Sequence, residues 1–311
     1  MTVVLSPELE AVAVALEALM PGRVLRDAPL GARTTWRVGG CAAVGVQMET
    51  IEDFQRLRTA VPVGVPRLVV GRGSNLLVAD AGFAGVAITL GSGFEMVTFG
   101  DGEVCAGGAT PLPVLARQCA AAGQGGLGFY VGIPGSVGGA VRMNAGGHGR
   151  ETREVLIDVG VVDLAAASEV TQWDRAALAL GYRRSALGAN HVVVDARFRV
   201  TPTPEDALRH ELGEIVRWRT EHQPGGANAG SVFCNPPGDA AARLIDEECG
   251  LRGLRWGGAT VSEKHANFIQ ADPGATAADV HELIHAVRDR VEQRTGVRLE
   301  TEVREIGFDP R

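Results

Sequence analysis

A glycine-rich segment at residues 71–75, with sequence Gly-Arg-Gly-Ser-Asn, is the first stretch whose residue types and spacing could do chemistry. An apolar, strand-like run precedes it and another apolar run follows it. Glycines allow successive backbone N–H groups to converge on an anion, and Ser74 and Asn75 add side-chain hydrogen bonds. The segment therefore indicates either a pyrophosphate-binding loop or a tight turn between two strands.

A second glycine-rich segment covers residues 132–147. It begins Gly-Ile-Pro-Gly-Ser-Val-Gly-Gly-Ala and ends Met-Asn-Ala-Gly-Gly. It has neither the spacing of a dinucleotide fingerprint nor the lysine of a phosphate-binding Walker loop. Since the two segments are too far apart for one βαβ unit, we expect a cofactor held between two loop systems and not a Rossmann site.

A third pattern, His-Glu-Leu-Ile-His at residues 281–285, matches the zinc-protease motif HExxH. In such an enzyme His281 and His285 would bind metal from one helix face, Glu282 would activate water, and Glu302 could be a third ligand. That function would leave both glycine segments unexplained, and short motifs occur by chance. We therefore interpret the histidines as a solvent-facing pair beside the apolar stripe of a helix, and expect no metal in the functional site.

Composition narrows the class of protein. The chain has 311 residues, a net charge of −7, 45% apolar residues and 42 glycines. This length favours more than one domain, and the acidic balance argues against nucleic acid as a partner. Five cysteines without close spacing suggest free thiols in a reducing compartment. We find no apolar run long enough to span a membrane, so we expect a cytoplasmic protein.

Hydrophobic periodicity predicts the elements that must position these segments. The predicted helices cover residues 6–20 with Ser6 as N-cap, residues 110–122, a capped helix from Thr203, and a helix from Thr276 to Gly296. The predicted strands are residues 44–46, 68–70, 86–90, 155–163 and 191–200. The pattern changes after Val200, which indicates a separate α+β domain in the C-terminal third.

Six segments, taken in order, resemble the UDP-N-acetylenolpyruvoylglucosamine reductase family. They are residues 34–40 (Thr-Thr followed by Val-Gly-Gly), 71–75, 132–140, 181–185 (Gly-Tyr-Arg-Arg-Ser), 230–236 (Gly-Ser-Val-Phe-Cys-Asn-Pro) and 299–304 (Leu-Glu-Thr-Glu-Val-Arg). The resemblance implies an α+β protein with an FAD-binding fold of the vanillyl-alcohol-oxidase type and a C-terminal α+β substrate-binding domain. The expected limits are residues 1–80 and 81–203 for two FAD-binding subdomains, and 204–311 for the substrate domain, whose final strand returns toward the flavin.

The resemblance also implies a reaction. The family uses FAD and NADPH to reduce UDP-N-acetylglucosamine enolpyruvate to UDP-N-acetylmuramate, in peptidoglycan precursor synthesis. Hydride from flavin N5 adds to the methylene carbon, and negative charge spreads into the neighbouring carboxylate as an enediolate. The catalytic residues carried over are Arg183 as a permanent cation, Glu302 as a second donor if burial keeps it protonated, and Ser231 as proton donor.

Binding residues are carried over in the same way. The cofactor set is Gly71, Arg72, Gly73, Ser74, Asn75, Leu76, Gly132, Ile133, Pro134, Gly135, Ser136, Gly138, Gly139, Ala140, Asn144 and Gly146. The substrate set is Tyr182, Arg219, Asn235, His265 and Arg304. Because the first loop has Asn75 and no histidine, we expect FAD to be bound without a covalent link. Three positions depart from the family's usual residues, namely His148, His222 and Cys234.

Only 47 residues separate Arg183 from Ser231 (231 − 184), so the chain resembles the family's shorter type, which lacks an inserted substrate-domain loop. Two alternatives remain open. One is a related flavin oxidase acting on another substrate, and the other is a flavin-binding protein without catalysis. The retained Arg183, Ser231 and Glu302 argue against the second.

Overall fold

The computed structural model describes residues 5–166 and 169–309, so the outermost residues of the predicted terminal domains lie outside it. The helices it contains are α1 (Pro7–Leu19), α2 (Glu52–Ala60), α3 (Leu112–Ala121), α4 (Val137–Met143), α5 (Thr152–Val155), α6 (Arg175–Leu178), α7 (Glu205–His222), α8 (Ala241–Arg243) and α9 (Ala277–Thr295). The strands of its first half are β1 (Val24–Ala28), β2 (Ala42–Met48), β3 (Arg67–Val70), β4 (Leu76–Val78), β5 (Phe83–Leu90), β6 (Val97–Gly100), β7 (Glu103–Gly107), β8 (Gln124–Gly125), β9 (Gly146–Gly147) and β10 (Arg150–Glu151). The strands of its second half are β11 (Leu156–Asp163), β12 (Val170–Asp174), β13 (His191–Arg199), β14 (Thr201–Pro202), β15 (Arg255–Trp256), β16 (Ala259–Val261), β17 (Ile269–Ala271) and β18 (Arg304–Ile306).

Side-chain caps explain where two of the predicted helices begin. Ser6 accepts a hydrogen bond from the backbone of Leu9 at 3.2 Å, and Thr276 forms a capping box with Asp279. Gly296 ends α9 in the left-handed conformation, with φ of 75°. The predicted side-chain cap of α7 is wrong, because the helix begins after Pro204 without a side-chain cap bond.

The first sheet has the strand order β1-β2-β5-β3, with β2, β5 and β3 parallel. Helices α1 and α2 cover it, and their apolar residues share one core with β2 and β5. Because β5 lies in this sheet, the sheet continues beyond residue 80, where we placed the first domain limit. The three domain limits stay predictions.

The second sheet is antiparallel, with the order β12-β11-β13-β7-β6. Its core includes α3, α4 and the 3-10 turn Gly128–Gly132. Helix α7 also packs here, since Ile215 belongs to the same core. Thus α7, which the sequence places in the C-terminal domain, packs against the core of the second sheet and its helices.

The C-terminal core is built on α9 and the sheet β15-β16-β17, together with three residues from the N-terminal part of the chain, Trp36, Val38 and Leu77. The indole of Trp36 donates a hydrogen bond to the carbonyl of Ile269 at 2.8 Å. The carboxylate of Asp80 accepts from the backbone N–H groups of Ala277 and Ala278, each at 2.9 Å. These contacts fasten the first turn of α9 to the segment that follows β4.

The last strand also returns to the N-terminal part, since β18 pairs with β4 in parallel. Strand β4 directly follows the glycine segment at residues 71–75. The fold therefore brings residues 302–304 beside that segment.

Two structural expectations have different outcomes. The five cysteines are all free, as predicted. The histidines of α9 are not solvent-facing, because His281 and His285 are only 5% and 6% exposed. The α+β class is confirmed, and no helix among the described residues is long and apolar enough to cross a membrane.

Candidate active site

Two adjoining cavities lie where the layers meet. The first has a volume of about 460 Å³ and is bordered by the first sheet, α4 and β13. The second, of about 360 Å³, is bordered by the segment 132–148, α7 and residues 229–231. Both are lined by Gly71, Arg72, Gly73, Ser136 and Gly139. A long ligand could therefore pass from one cavity to the other along the two glycine segments.

The first glycine segment is shaped by close backbone contacts. Gly73 has φ of +68°, and a Cβ there would lie 2.7 Å from the carbonyl oxygen of Arg33. A Cβ on Gly71 would lie 2.8 Å from the hydroxyl of Ser136. Within the described residues, the backbone N–H groups of residues 72–75 donate to no protein acceptor. These groups are available to an anion, as a pyrophosphate requires.

The second glycine segment contains the short helix α4, which the sequence analysis missed. Buried Ser136 is its N-cap and accepts a hydrogen bond from Gly139 at 3.4 Å. Gly138 packs against the backbone, since a Cβ there would lie 3.2 Å from the carbonyl of Gly108. The small residues keep the first turn of α4 close to the cavities, which suits a flat cofactor.

Arg183 borders the second cavity from a strained position, with φ of +54°. Its Nε donates to Glu302 Oε1 at 2.9 Å, and its guanidinium lies 4.9 Å above the ring of Tyr182. Its Nη1 is buried and has no hydrogen-bond partner in the described structure, although Glu151 lies 4.0 Å away. A buried cationic N–H group without an acceptor is suited to bind an anionic group of a ligand.

Asn144 supports Arg183 from behind the cavity. It ends α4 in the left-handed conformation, and its amide nitrogen donates to the carbonyl of Gly181 at 2.9 Å and to Glu151 at 3.0 Å. Its amide oxygen accepts from the backbone of Arg153. The side chain of Asn144 is therefore used within the protein, and it holds the turn that carries Arg183.

Glu302 joins the two halves of the site through its backbone. Its N–H donates to the carbonyl of Val232 at 2.8 Å, and its carbonyl accepts from the Asn75 amide at 2.9 Å. Burial raises the pKa of the Glu302 carboxyl above its ordinary value, while the charge of Arg183 opposes this increase. Ser231, half-buried one residue before Val232, borders the same cavity. The cavity thus brings the three predicted catalytic residues together.

The remaining predicted residues fall into two groups. Those that line at least one cavity are Gly71, Arg72, Gly73, Ser74, Asn75, Leu76, Ile133, Pro134, Gly135, Ser136, Gly138, Gly139, Ala140, Gly146, Arg219 and Arg304. Those that line neither are Gly132, Asn144, Tyr182, Asn235 and His265.

Three residues of that second group lie close to the cavity. The hydroxyl of Tyr182 accepts a hydrogen bond from the Asn235 backbone at 3.3 Å. His265 packs against Phe268, which lines the second cavity, and burial lowers the pKa of its imidazole. These residues contact lining residues directly or through one another, and do not line the cavity themselves.

Lining residues that the sequence analysis missed include Arg142, Trp218 and Gln223. Arg142 borders both cavities, and burial followed by the charge of Arg304 lowers the pKa of its guanidinium. The Oε1 atom of Gln223 is buried without a hydrogen-bond partner in the described structure. A signal existed for Gln223, which lies four residues after predicted Arg219 at the end of α7, because residues four apart share a helix face.

The three unusual positions cluster at the site. The ring of His148 lies 5.1 Å from that of Trp218, on which His222 stacks at 4.6 Å. Burial and then Arg219 lower the pKa of His148. Burial, with Glu302 nearby, raises the pKa of the Cys234 thiol to about 11, so the thiol is neutral at physiological pH.

Comparison with known proteins identifies two domains along the chain. A family model described as FAD binding domain matches residues 42–171. A second model, described as UDP-N-acetylenolpyruvoylglucosamine reductase, C-terminal domain, matches residues 222–306. Together with the two glycine segments, these matches define an FAD-binding oxidoreductase.

Individual relatives agree along most of the chain. The UDP-N-acetylenolpyruvoylglucosamine reductase of Rhodopseudomonas palustris (strain HaA2) is 44% identical over 297 residues, which cover 94% of this chain and 95% of the relative. The reductase of Acidiphilium cryptum (strain JF-5) is 44% identical over 288 residues, with 92% of each chain covered. The crystal structure of the Thermus caldophilus reductase is 37% identical with a TM-score of 0.79, covering 91% of this chain and 99% of that one.

The chain belongs to the UDP-N-acetylenolpyruvoylglucosamine reductase family. The predicted fold, an FAD-binding domain followed by a C-terminal α+β domain, is confirmed. The prediction of an FAD-binding oxidoreductase is confirmed as well. The zinc-protease alternative does not agree with this family.

Proposed function

We propose that this chain reduces UDP-N-acetylglucosamine enolpyruvate to UDP-N-acetylmuramate with NADPH, through non-covalent FAD, in peptidoglycan precursor synthesis. The observation that carries the proposal is that Arg183, Ser231 and Glu302 line one cavity, and that this cavity continues along both glycine segments. The names of relatives that match more than nine-tenths of the chain support the same substrate. The predicted cytoplasmic location stays a prediction.

The residues present fit FAD. The N–H groups of residues 72–75 suit its pyrophosphate, and the glycines at residues 135, 138 and 139 leave room for a flat ring close to the backbone. The segment at residues 71–75 has no histidine for a covalent link to FAD, and the Asn75 amide donates to the Glu302 carbonyl. When bound, FAD supplies the hydride for the substrate after accepting one from NADPH.

Arg183 binds the substrate carboxylate in this proposal. Its Nη1, which has no partner in the described structure, provides a donor with a permanent charge, and Glu302 fixes the orientation of the guanidinium through Nε. The positive charge stabilises the enediolate more than the neutral double bond, because negative charge moves into the carboxylate during reduction.

Ser231 delivers the proton. A hydroxyl can donate to the carbon next to the carboxylate while its oxygen accepts from water or a neighbouring group. Ser231 is half-buried and lines the cavity with Arg183, so its proton is held in the same space as the substrate carboxylate. The proposal thus assigns the proton donor to the segment that follows Gly230.

Two opposing effects act on the charge state of the Glu302 carboxyl. Burial favours its neutral form, which donates a hydrogen bond, while Arg183 favours the carboxylate. We propose that the protonated form shares the enediolate charge with Arg183 by donating to it. The reaction should therefore depend on the protonation of Glu302.

Residues around the second cavity are proposed to hold the rest of the substrate. Arg219 lies in the wall against Gly132, where burial lowers the pKa of its guanidinium but leaves it charged at neutral pH. Its charge suits the diphosphate, and Arg304 adds a second cation to the lining of the same cavity. Tyr182, Asn235 and His265 are assigned to substrate contacts next to the cavity. The shorter type, without an inserted loop, is part of this proposal.

Isotope labelling tests the reaction directly. The purified protein with FAD is incubated with 4-deuterated NADPH and the enolpyruvyl substrate, first in H₂O and then in D₂O. In D₂O we expect one deuterium on the carbon next to the carboxylate, from solvent, and one in the lactyl methyl group. The second comes from NADPH or from solvent, because the hydrogen carried at flavin N5 exchanges with water. Both are read by NMR of the product. Oxidation of NADPH without formation of the lactyl ether would contradict the proposed substrate.

A further inference from the structure

The strongest feature outside the two cavities is the buried cluster of His281, His285 and Glu305, between α9 and β18. We propose that this cluster binds a divalent transition-metal ion of the zinc class. It does not line either cavity, so it is separate from the proposed flavin and substrate site.

The three side chains converge on one point. The Nε2 atoms of His281 and His285 are 3.0 Å apart, and Glu305 Oε2 lies 3.6 Å from His281 Nε2. One ligand atom from each residue lies within 4.8 Å of the others. Two nitrogens bound tetrahedrally to zinc are roughly 3.3 Å apart, given Zn–N distances of about 2.0–2.1 Å. The observed spacing of the two nitrogens needs a shift of only a few tenths of an ångström.

Charge and burial also favour a cation. Both imidazoles are at most 6% exposed, and Glu305 has a buried Oε1 atom without a hydrogen-bond partner among the described residues. A buried carboxylate oxygen without a partner is costly, and a cation bound by all three side chains would remove that cost. The Glu282 carboxylate lies 4.0 Å from His281 Nδ1 and adds negative charge beside the cluster.

Arg288 contacts one of the proposed metal ligands and therefore affects metal binding. Its guanidinium contacts Nδ1 of His285, so that nitrogen is an acceptor and the Nε2 of the neutral ring carries the proton. That proton is then shared with His281 Nε2. Metal binding at Nε2 moves this single ring proton to Nδ1 and requires the Arg288 guanidinium to withdraw. Arg288 thus competes with the metal for His285.

The position of the cluster in the fold indicates the role of a bound ion. Glu305 is on β18, which pairs with β4 and begins two residues after Glu302. A metal bound to α9 and β18 together would fix the strand that carries Glu305 next to the active-site segment. We infer a stabilising role and not hydrolysis.

Metal binding is measured on the FAD-loaded protein after removal of bound metals with a chelator. Co²⁺ is added first, because its visible absorbance reports coordination, and Zn²⁺ then displaces it. We expect one ion per chain and a tetrahedral Co²⁺ spectrum with nitrogen and oxygen ligands. Absence of stoichiometric Co²⁺ or Zn²⁺ binding by the unaltered chain would overturn the proposal.

Two variants distinguish metal binding at this cluster from general effects on folding. His285→Gln should weaken binding by more than about 100-fold, since loss of an outer partner alone costs roughly 10–100-fold. Arg288→Gln should strengthen binding by about tenfold, because an amide oxygen can accept from His285 Nδ1. A folding defect would not produce that gain, so weaker binding by Arg288→Gln would contradict the assigned competition.

The matched control is His210→Gln. His210 faces Glu214 at 3.6 Å on an exposed face of α7, and among the described residues no second histidine joins them in a metal-binding group. This variant should bind metal as the unaltered chain does. Equal loss in His210→Gln and His285→Gln would assign the ion to surface histidines and overturn the proposal.

Discussion

At the scale of single residues, the site depends on side chains whose charge or backbone is constrained. Arg183 has a left-handed backbone, is held by Glu302 and retains one donor without a partner in the described structure. Glu302 is held in turn through its backbone by Asn75 and Val232. The proposed roles of Ser231 and Glu302 can therefore be separated by substitutions that change the side-chain volume little.

Ser231→Ala should separate the two half-reactions. NADPH should still reduce the flavin at an unchanged rate, because no proton from Ser231 is required there. Reoxidation by the enolpyruvyl substrate should slow by roughly 100- to 10,000-fold, the usual contribution of a positioned acid. Stopped-flow absorbance under anaerobic conditions measures both rates. Ser92→Ala, on an exposed turn, is the control, and equal slowing of both half-reactions by Ser231→Ala would contradict the assigned role.

Glu302→Gln should change how stability depends on pH. Burial raises the pKa of Glu302 in the folded chain, so the folded state binds more protons than the unfolded state above about pH 4.3. As the pH rises from about 4.3 through the raised pKa, the native chain therefore loses stability relative to the variant. Above that pKa, the difference in stability between the two proteins is constant. Urea unfolding at a series of pH values measures this loss. Parallel curves for the two proteins would show that the pKa is not raised.

The activity of the same variant provides a second test. If protonated Glu302 donates to the enediolate, the native rate of flavin reoxidation falls as pH rises through its pKa. The amide that Glu302→Gln introduces donates at every pH, so the variant should lack that decrease. A decrease of the same size in both proteins would assign the pH dependence to another group.

At the scale of elements, the ends of short helices and turns position the site. Helix α4 is seven residues long and ends at Asn144, which holds the turn around Arg183 through Gly181. Sequence periodicity could not reveal this helix, because residues 132–147 are rich in glycine and give no apolar stripe. It did reveal α9 and its limits, since Thr276, Asp279 and Gly296 are local signals that need no tertiary contact.

Asn144→Ala should destabilise the chain by about 2–4 kcal/mol, from lost buried hydrogen bonds and an unfavourable left-handed alanine. Asn144→Gly restores the backbone freedom without the bonds, so it should be less destabilised. Both should raise the KM for substrate because Arg183 loses its support. Urea unfolding and steady-state kinetics measure the two effects. An unchanged KM in both variants would contradict the supporting role.

At the scale of the whole molecule, the site lies between parts that are distant in sequence. Trp36 and Leu77 belong to the C-terminal core, and β18 returns to β4. The motifs predicted the family and the three residues that meet in the cavity. They could not predict that Arg142 and Trp218 share its wall, because such neighbours depend on how α4 and α7 pack. The burial of His281 and His285 was missed for the same reason, since their environment comes from β18.

The flavin should dissociate when the chain unfolds. The loop at residues 71–75 has no histidine to form a covalent link, so acid or urea should release FAD that passes through a filter retaining the protein. Added FAD should also raise the melting temperature of the flavin-free chain, since a ligand at 100 times its Kd stabilises by about 2.7 kcal/mol. Flavin that stays with the denatured chain would contradict non-covalent binding.

The anaerobic visible spectrum of the purified protein tests the central claim most directly. NADPH is added first, followed by UDP-N-acetylglucosamine enolpyruvate. The account predicts flavin absorbance that bleaches with NADPH and returns with the substrate, as both half-reactions require. Absorbance that bleaches and does not return would contradict the proposed substrate, and a chain that binds no flavin even with added FAD would contradict the site itself.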